Sequence, residues 1–270
     1  MINRVQMREI GGSEHSEQLV RTVNAIGNGA HIFAPKEWLG EEICIIRTRK
    51  KEVKEQILEV LAPFMEYVKG AYLYGSRARG EAGPESDIDL FVITSKKLTI
   101  KKEGFEIIAL EEKSIEKAIE ISPLMIYSIL SEAKPIINSE LLEIIKEKYP
   151  FKKSNIVDYF EETKRIININ KDLLKLDKKE GKSAYEGIIY SLILRLRGLF
   201  IIKCLLKGKL YSKKDFRKWI ELNVKGIDYN NFYDSYLAVK MDKKIKSEIP
   251  IADAENLLIF LEKEVKKYNK

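Results

Sequence analysis

The stretch YLYGSRARGEAGPESDIDLFV, residues 72–92, decides the fold. An apolar strand runs straight into a Gly-Ser turn, and a short helical piece follows it. Gly75 lets the backbone approach a phosphate closely, and the amides at a helix N-terminus favour an anion. Ser76 adds a hydroxyl donor, while Arg77 and Arg79 can add charge-assisted bonds to oxyanions. The turn therefore predicts a phosphate-binding site.

A second strand follows, and it begins with a pair of carboxylates. Residues i and i+2 of a strand point to the same face, so we expect Asp87 and Asp89 to project together while Ile88 and Leu90 face the core. Two carboxylates held this close repel each other unless a cation neutralises them. Hard oxygen ligands on one face suit Mg²⁺. The pattern predicts a magnesium site beside the phosphate site.

A third carboxylate is expected on the neighbouring strand, to complete the metal site or to take a proton from an acceptor hydroxyl. Glu106 is the best placed candidate, because it lies inside the predicted strand Phe105–Leu110. Glu103, Glu111 and Glu112 at the strand ends are alternatives. A phosphate cradle beside paired carboxylates is suited to phosphoryl or nucleotidyl transfer.

The pattern GSRARG-x5-SDIDL resembles the polymerase-β-like nucleotidyltransferase superfamily, especially its minimal MNT-type members. The resemblance implies that Gly75 and Ser76 bind a nucleoside triphosphate and that Asp87 and Asp89 hold Mg²⁺. Glu106 would be the third catalytic and metal-binding acid, although many relatives have Asp there. The expected fold class is α+β, with a mixed sheet and helices.

The same resemblance implies the substrates. Arg77, Arg79 and Ser86 are further candidates for contact with the nucleotide, and two Mg²⁺ ions are expected. ATP is the expected donor. The acceptor is a hydroxyl of a protein or of a small molecule, and the sequence leaves both open.

The pattern of elements predicts three regions. Residues 1–50 hold a polar tail and a small β-hairpin module, 51–140 the nucleotidyltransferase domain, and 141–270 an all-helical bundle. Within the first region, GNGAH-x3-PKEWxG resembles half of an AbrB-type swapped-hairpin DNA-binding module. Apolar alternation predicts its strands near 30–34 and 43–46, on either side of a turn. A hairpin that packs on its neighbour or forms a homodimer is the alternative.

Composition and charge exclude several classes. The 270 residues are 45% hydrophobic and 33% charged, which is typical of a folded protein. Two isolated cysteines argue against a disulfide scaffold or a cysteine zinc site. Residues 1–30 are polar and mixed, and charges interrupt the most apolar run, 187–206. We therefore expect no signal peptide, no membrane partner and a cytoplasmic location.

The net charge of +7 is compatible with a polyanionic partner. Residues 23–50 and 207–218 are the two candidate contacts for nucleic acid. This leaves an alternative function, a DNA-binding regulator or antitoxin-like protein whose transferase fold is a sensor or relic. Arg195 and Arg197 lie in a helix similar to those of HEPN bundles, but no histidine follows them, which argues against nuclease activity.

Overall fold

A computed structural model describes residues 19–46, 51–83, 86–243 and 248–268. The chain forms two compact units, Met1–Lys50 and Lys51–Lys270. Each unit is described by itself below.

The N-terminal unit contains an antiparallel hairpin formed by β1 (Asn24–Ile26) and β2 (Gly29–His31). Gly27 has φ +51 and is the first residue of the two-residue turn, the position that favours glycine in a type II′ hairpin. A 3₁₀ turn, Lys36–Trp38, follows. The hairpin itself was predicted, but its strands were placed wrongly: residues 43–46 form no strand, because the Gly-Asn turn pairs the segments before and after it.

The larger unit begins with α1. It ends at Leu61 because Pro63 cannot continue an α-helix, and a 3₁₀ turn leads to β3. The strands are β3 (Val68–Tyr74), β4 (Ile88–Thr94), β5 (Phe105–Glu111) and β6 (Lys134–Ile137). The helices are α1 (Val53–Leu61), α2 (Gly75–Arg79), α3 (Ile115–Ile121), α4 (Pro123–Glu132), α5 (Ser139–Lys148), α6 (Val157–Lys179), α7 (Glu186–Leu205), α8 (Lys213–Asn223), α9 (Tyr229–Lys240) and α10 (Ile251–Tyr268). Short 3₁₀ turns span Ala62–Phe64, Glu112–Ser114 and Lys153–Ile156.

Four strands form one mixed sheet in the order β5-β4-β3-β6. β3 is antiparallel to β4 and β6, whereas β4 and β5 are parallel. The predicted α+β class with a mixed sheet and a following set of helices is confirmed. The register places Tyr74, Asp89 and Glu106 side by side at one end of three adjacent strands.

Ile88 and Leu90 face a core as expected, and the opposite face of β4 is buried as well. Leu90 packs with Ile57 and other residues of α1 on one face. Phe91 continues the face of Asp89 and packs in a second cluster with residues of α3, α4 and α5. Asp89 therefore stands at the edge of a covered face.

Helices α6 to α10 bury a core of their own, with α7 against α6, α9 and α10. α7 contains most of the apolar run 187–206, and two arginines lie on it. Arg195 forms an ion pair with Glu162, with 2.9 Å between Nη1 and Oε2. Arg197 has no carboxylate partner among the described residues, and its buried Nε lacks a hydrogen-bond partner. Within the same residues, no helix has the length and apolarity needed to cross a bilayer.

Candidate active site

The junction of β3 and α2 forms a sharp turn. Tyr74 is still extended, whereas Gly75 has φ +71, a conformation that L side chains rarely adopt. A Cβ atom on Gly75 would lie 1.8 Å from Oδ2 of Asp89. Both the backbone conformation and the space therefore require glycine here. α2 ends after five residues at Gly80, which is left-handed with φ +74.

Asp89 is the centre of the acidic site. It lies between Tyr74 on β3 and Glu106 on β5. Burial raises the pKa of Asp89 to about 6, and the charge of Glu106 adds to the increase. The N–H of Ser76, which donates to the carboxylate, and the charge of Arg79 act in the opposite direction.

Tyr74 responds to the same concentration of negative charge. Burial raises the pKa of its hydroxyl, and Glu106, Asp89 and Glu132 raise it further. These three carboxylates thus act on one phenol from three different elements. The site favours a cation.

Asp87 and Ser86 lie just before β4 and not within it. Asp87 is exposed, and its carbonyl oxygen accepts a hydrogen bond of 3.1 Å from Nε of Arg77. The same guanidinium donates to the carbonyl of Ser86. The hydroxyl of Ser86 accepts the N–H of Gly83 at 2.9 Å. Arg77 therefore joins α2 to the two residues just before β4, and Ser86 binds Gly83.

Arg79 does not point freely towards solvent. Its Nε lies 2.9 Å from Oε2 of Glu81 and its Nη1 lies 2.5 Å from Oε2 of Glu132. Its guanidinium also lies 5.1 Å from the centre of the Tyr211 ring. Glu132 also accepts the N–H of Gly75 at 2.8 Å. No sequence pattern singles out Glu132, because its partners are far away along the chain.

The alternatives to Glu106 lie elsewhere. Glu111 pairs with Thr94 at the opposite end of β5 and forms an ion pair of 2.8 Å with Lys113. Glu112 forms an ion pair with Lys69, and Glu103 is exposed before the strand. Of the four candidates, Glu106 is the register partner of Asp89.

The donor set at this edge suits Mg²⁺, because Asp89 and Glu106 are adjacent carboxylates with mutual repulsion for a cation to relieve. The carboxylate of Asp89 also lies directly against the backbone of Gly75. Across the described ranges, however, no three His, Cys, Asp or Glu side chains are grouped closely enough to hold an ion. Asp87, Asp89 and Glu106 as a set of three ligands stay a prediction.

Comparison with known proteins gives the class of the domain that carries this site. Residues 55–148 match the family model described as "Polymerase beta, Nucleotidyltransferase". The matched segment runs from α1 to α5 and includes the whole sheet. Residues 55–148 are therefore a nucleotidyltransferase domain of the polymerase β type. The predicted superfamily is confirmed.

Two solved structures are similar to this chain over most of its length. A nucleotidyltransferase-like protein from Exiguobacterium sibiricum 255-15 is 16% identical with a TM-score of 0.37, covering 79% of this chain and 73% of that one. The spectinomycin adenyltransferase AAD(9) from Enterococcus faecialis, solved with ATP and spectinomycin, is 15% identical with a TM-score of 0.41, covering 80% and 98%. No curated protein sequence is detectably similar to this chain.

Proposed function

We propose that this protein is a Mg²⁺-dependent nucleotidyltransferase that moves a nucleoside monophosphate from a triphosphate, ATP by family resemblance, to an acceptor hydroxyl. One observation carries the proposal: Asp89 and Glu106 lie side by side next to Ser76, within a nucleotidyltransferase domain. Paired carboxylates beside a phosphate-binding turn are the equipment for in-line transfer.

Each residue has a distinct role in the proposed reaction. The Ser76 hydroxyl donates to the triphosphate, and Gly75 leaves room for the carboxylate of Asp89. Asp87, Asp89 and Glu106 would hold Mg²⁺, which when bound supplies positive charge for the phosphate oxygens. Glu106 accepts the proton of the attacking hydroxyl. The new bond joins the acceptor oxygen to the α-phosphorus, and the bond from that phosphorus to pyrophosphate breaks.

The acceptor is proposed from the part of the chain beyond the matched domain. We propose that helices α6 to α10, which make up most of the predicted bundle 141–270, present beside α2 the surface that selects the acceptor; α5 packs with the sheet instead. Supporting this, Tyr211 and Lys213 from that region contact Arg79 and Glu81 next to the Gly-Ser turn. Protein and small-molecule hydroxyls both remain within the proposal. A cytoplasmic location and a homodimer stay predictions.

The test is transfer of label. The protein is incubated with Mg²⁺, a cell extract and each of the four NTPs labelled at the α-phosphate. We expect one NTP to label an extract component, and Asp89→Asn to remove the labelling. Asp172→Asn, which changes an exposed aspartate on α6, is the matched control. If folded wild-type protein transfers no label from any NTP, the proposal is wrong.

The alternative of a DNA-binding regulator rests on the N-terminal unit. This unit contains the hairpin Asn24–His31, and no residue in the range 19–46 is buried. Deletion of residues 1–50 separates the two functions, because that segment is a compact unit of its own. A regulator would lose retention on DNA in this deletion, whereas a transferase would keep its labelling. The basic segment 207–218 stays a prediction as a second polyanion contact.

A further inference from the structure

Glu132 is a buried acid at an unfavourable place. It is the last residue of α4, where the helix dipole disfavours negative charge, and only 8% of the residue is exposed. Burying a carboxylate costs several kcal/mol unless close partners compensate for the lost water. Its two partners are the N–H of Gly75 at 2.8 Å and the guanidinium of Arg79 at 2.5 Å. Both partners belong to the Gly-Ser turn and the helix that follows it.

The interaction continues into the helical region. Arg79 also binds Oε2 of Glu81, and Oε1 of Glu81 accepts the N–H of Lys213 at 2.8 Å. Lys213 is the first residue of α8, so this carboxylate caps a helix N-terminus together with the hydroxyl of Ser212. An unbroken series of hydrogen bonds therefore joins Gly75 to the start of α8.

The position of the Gly75-Ser76 turn matters because there is little room for its backbone to shift relative to Asp89. The closest approach of a Cβ on Gly75 to Asp89 would be 1.8 Å, and the N–H of Ser76 donates to the same carboxylate. A shift of about 1 Å at such a place can cost about 100-fold in rate. Whatever holds Gly75 in place also holds Ser76 relative to Asp89.

We propose that Glu132 is a positioning residue, which fixes the Gly75-Ser76 turn through its backbone and couples that turn, through Arg79 and Glu81, to α8. Its effect on rate rests on the proposed function, whereas the coupling of the turn to α8 does not. In this arrangement the amide of Gly75 serves the protein's own carboxylate, and Ser76 is the group of the turn that faces the nucleotide.

The opposing possibility is that Glu132 is a stand-in for phosphate. Its carboxylate takes two donors, from Gly75 and Arg79, that the resemblance assigns to a triphosphate. A stand-in must leave when the nucleotide binds, so its removal would tighten nucleotide binding. A positioning residue holds the same donors in every state, so its removal would not tighten it.

The coupling is tested first by hydrogen–deuterium exchange of the full-length protein, without any need for activity. Glu132→Gln keeps the shape of the side chain and removes its charge, and Glu81→Gln breaks the series at its other end. We expect both variants to exchange about tenfold faster over 75–79 and over 213–216, since each loses a charge-assisted bond. Glu120→Gln, an exposed acid on α3, is the matched control and should match the wild type.

An exchange rate unchanged at α8 in both variants would overturn the coupling. Faster exchange throughout the chain would mean general destabilisation, and would overturn it equally. If Glu132→Gln does not fold, Glu81→Gln still decides the question through the exchange of Gly75, because the carboxylate of Glu81 bonds to Arg79 and Lys213 and reaches Gly75 only through Arg79 and Glu132; an unchanged rate at Gly75 would overturn the coupling.

Kinetics test the effect on the reaction. We expect Glu132→Gln to lower kcat for label transfer by about 10- to 100-fold with little change in KM for the nucleotide. A purely structural role would leave both unchanged in the folded variant. Binding of a non-hydrolysable triphosphate analogue, measured by calorimetry, must not become tighter, since tighter binding would identify Glu132 as the stand-in. If the wild-type protein transfers no label, the proposed function is wrong. The coupling of the turn to α8 is then decided by the exchange experiment alone.

Discussion

The α-carbon of Gly75 faces the carboxylate of Asp89 so closely that a Cβ atom would lie 1.8 Å from Oδ2. Real Cβ atoms do not approach an oxygen so closely, and the carboxylate cannot move freely because it accepts the N–H of Ser76. Gly75 thus connects the first half of the motif to the second. Because Gly75 has no side chain, the start of α2 can lie directly against Asp89 of β4.

Gly75→Ala should destabilise the fold strongly. A left-handed non-glycine residue costs about 1 kcal/mol, and forcing atoms into a packed site adds about 1–3 kcal/mol. We expect a loss of roughly 3 kcal/mol in urea denaturation. Gly80→Ala is the matched control, because Gly80 is also left-handed but has open space around it, and it should lose only about 1 kcal/mol. Equal losses in the two variants would mean that Asp89 moves aside easily.

Asp89 should make the folded protein less stable as the pH rises. Burial and Glu106 raise its pKa to about 6 from its ordinary value of 3.8, so the folded state holds the proton more tightly than the unfolded state. Stability from this group is present below about pH 4 and is lost by about pH 6. At pH 8 in EDTA, Asp89→Asn should gain about 1 kcal/mol, allowing for solvent screening.

The measurement is urea denaturation of wild type and variant at pH 4.5 and pH 8. The gain should be smaller at the lower pH, and label transfer should be absent at both. Asp87→Asn is the control, since it removes an exposed carboxylate two residues away. A variant with the same pH dependence as the wild type would assign that dependence to another group.

Much of the transferase fold could be predicted from sequence because its signals are local. The strand before Gly75, the turn and the strand after Asp87 follow from apolar runs and glycine over a few residues. The strands of the hairpin were misplaced for the same reason, since exposed residues such as Ile43 and Ile45 look like a strand although no strand among the described residues pairs with them. Local pattern alone cannot decide which segments pair.

The surroundings of the site could not be predicted. Glu132 lies 57 residues from Gly75 and 53 from Arg79. It is the last residue of an apolar helix, and in the sequence nothing distinguishes it from a surface acid. Arg79 was expected to face a phosphate, yet it lies between two carboxylates and a tyrosine ring. Its use as a nucleotide contact stays a prediction. Long-range ion pairs leave no periodic trace in the sequence.

Glu106→Gln should cost far more activity than Glu111→Gln. Glu106 is the register partner of Asp89, while Glu111 lies five residues further along β5, roughly 17 Å away, beside Lys113. If Glu106 takes the proton of the acceptor, its loss should lower kcat by about 100-fold or more. Initial rates of label transfer measure this, and Glu111→Gln should stay close to wild type. A larger loss of activity in Glu111→Gln would mean that the third carboxylate of the site is at the other end of β5.

Arg197→Met should stabilise the protein, although it removes a charged residue from the helical core. Among the described residues the guanidinium of Arg197 has no carboxylate partner, and its buried Nε has no hydrogen-bond partner. It hydrogen-bonds to the side chains of Tyr211 and Tyr236 and lies 5.3 Å from the centre of the Tyr211 ring. Because neutral hydroxyls and a ring only partly compensate for the lost hydration of a charge, a methionine of similar length should gain about 1 kcal/mol in urea denaturation. Arg195→Met is the comparison, since Arg195 has a carboxylate partner in Glu162, and it should lose up to about 1 kcal/mol. Destabilisation by Arg197→Met would mean that the cation–π contact outweighs the cost of burying the charge.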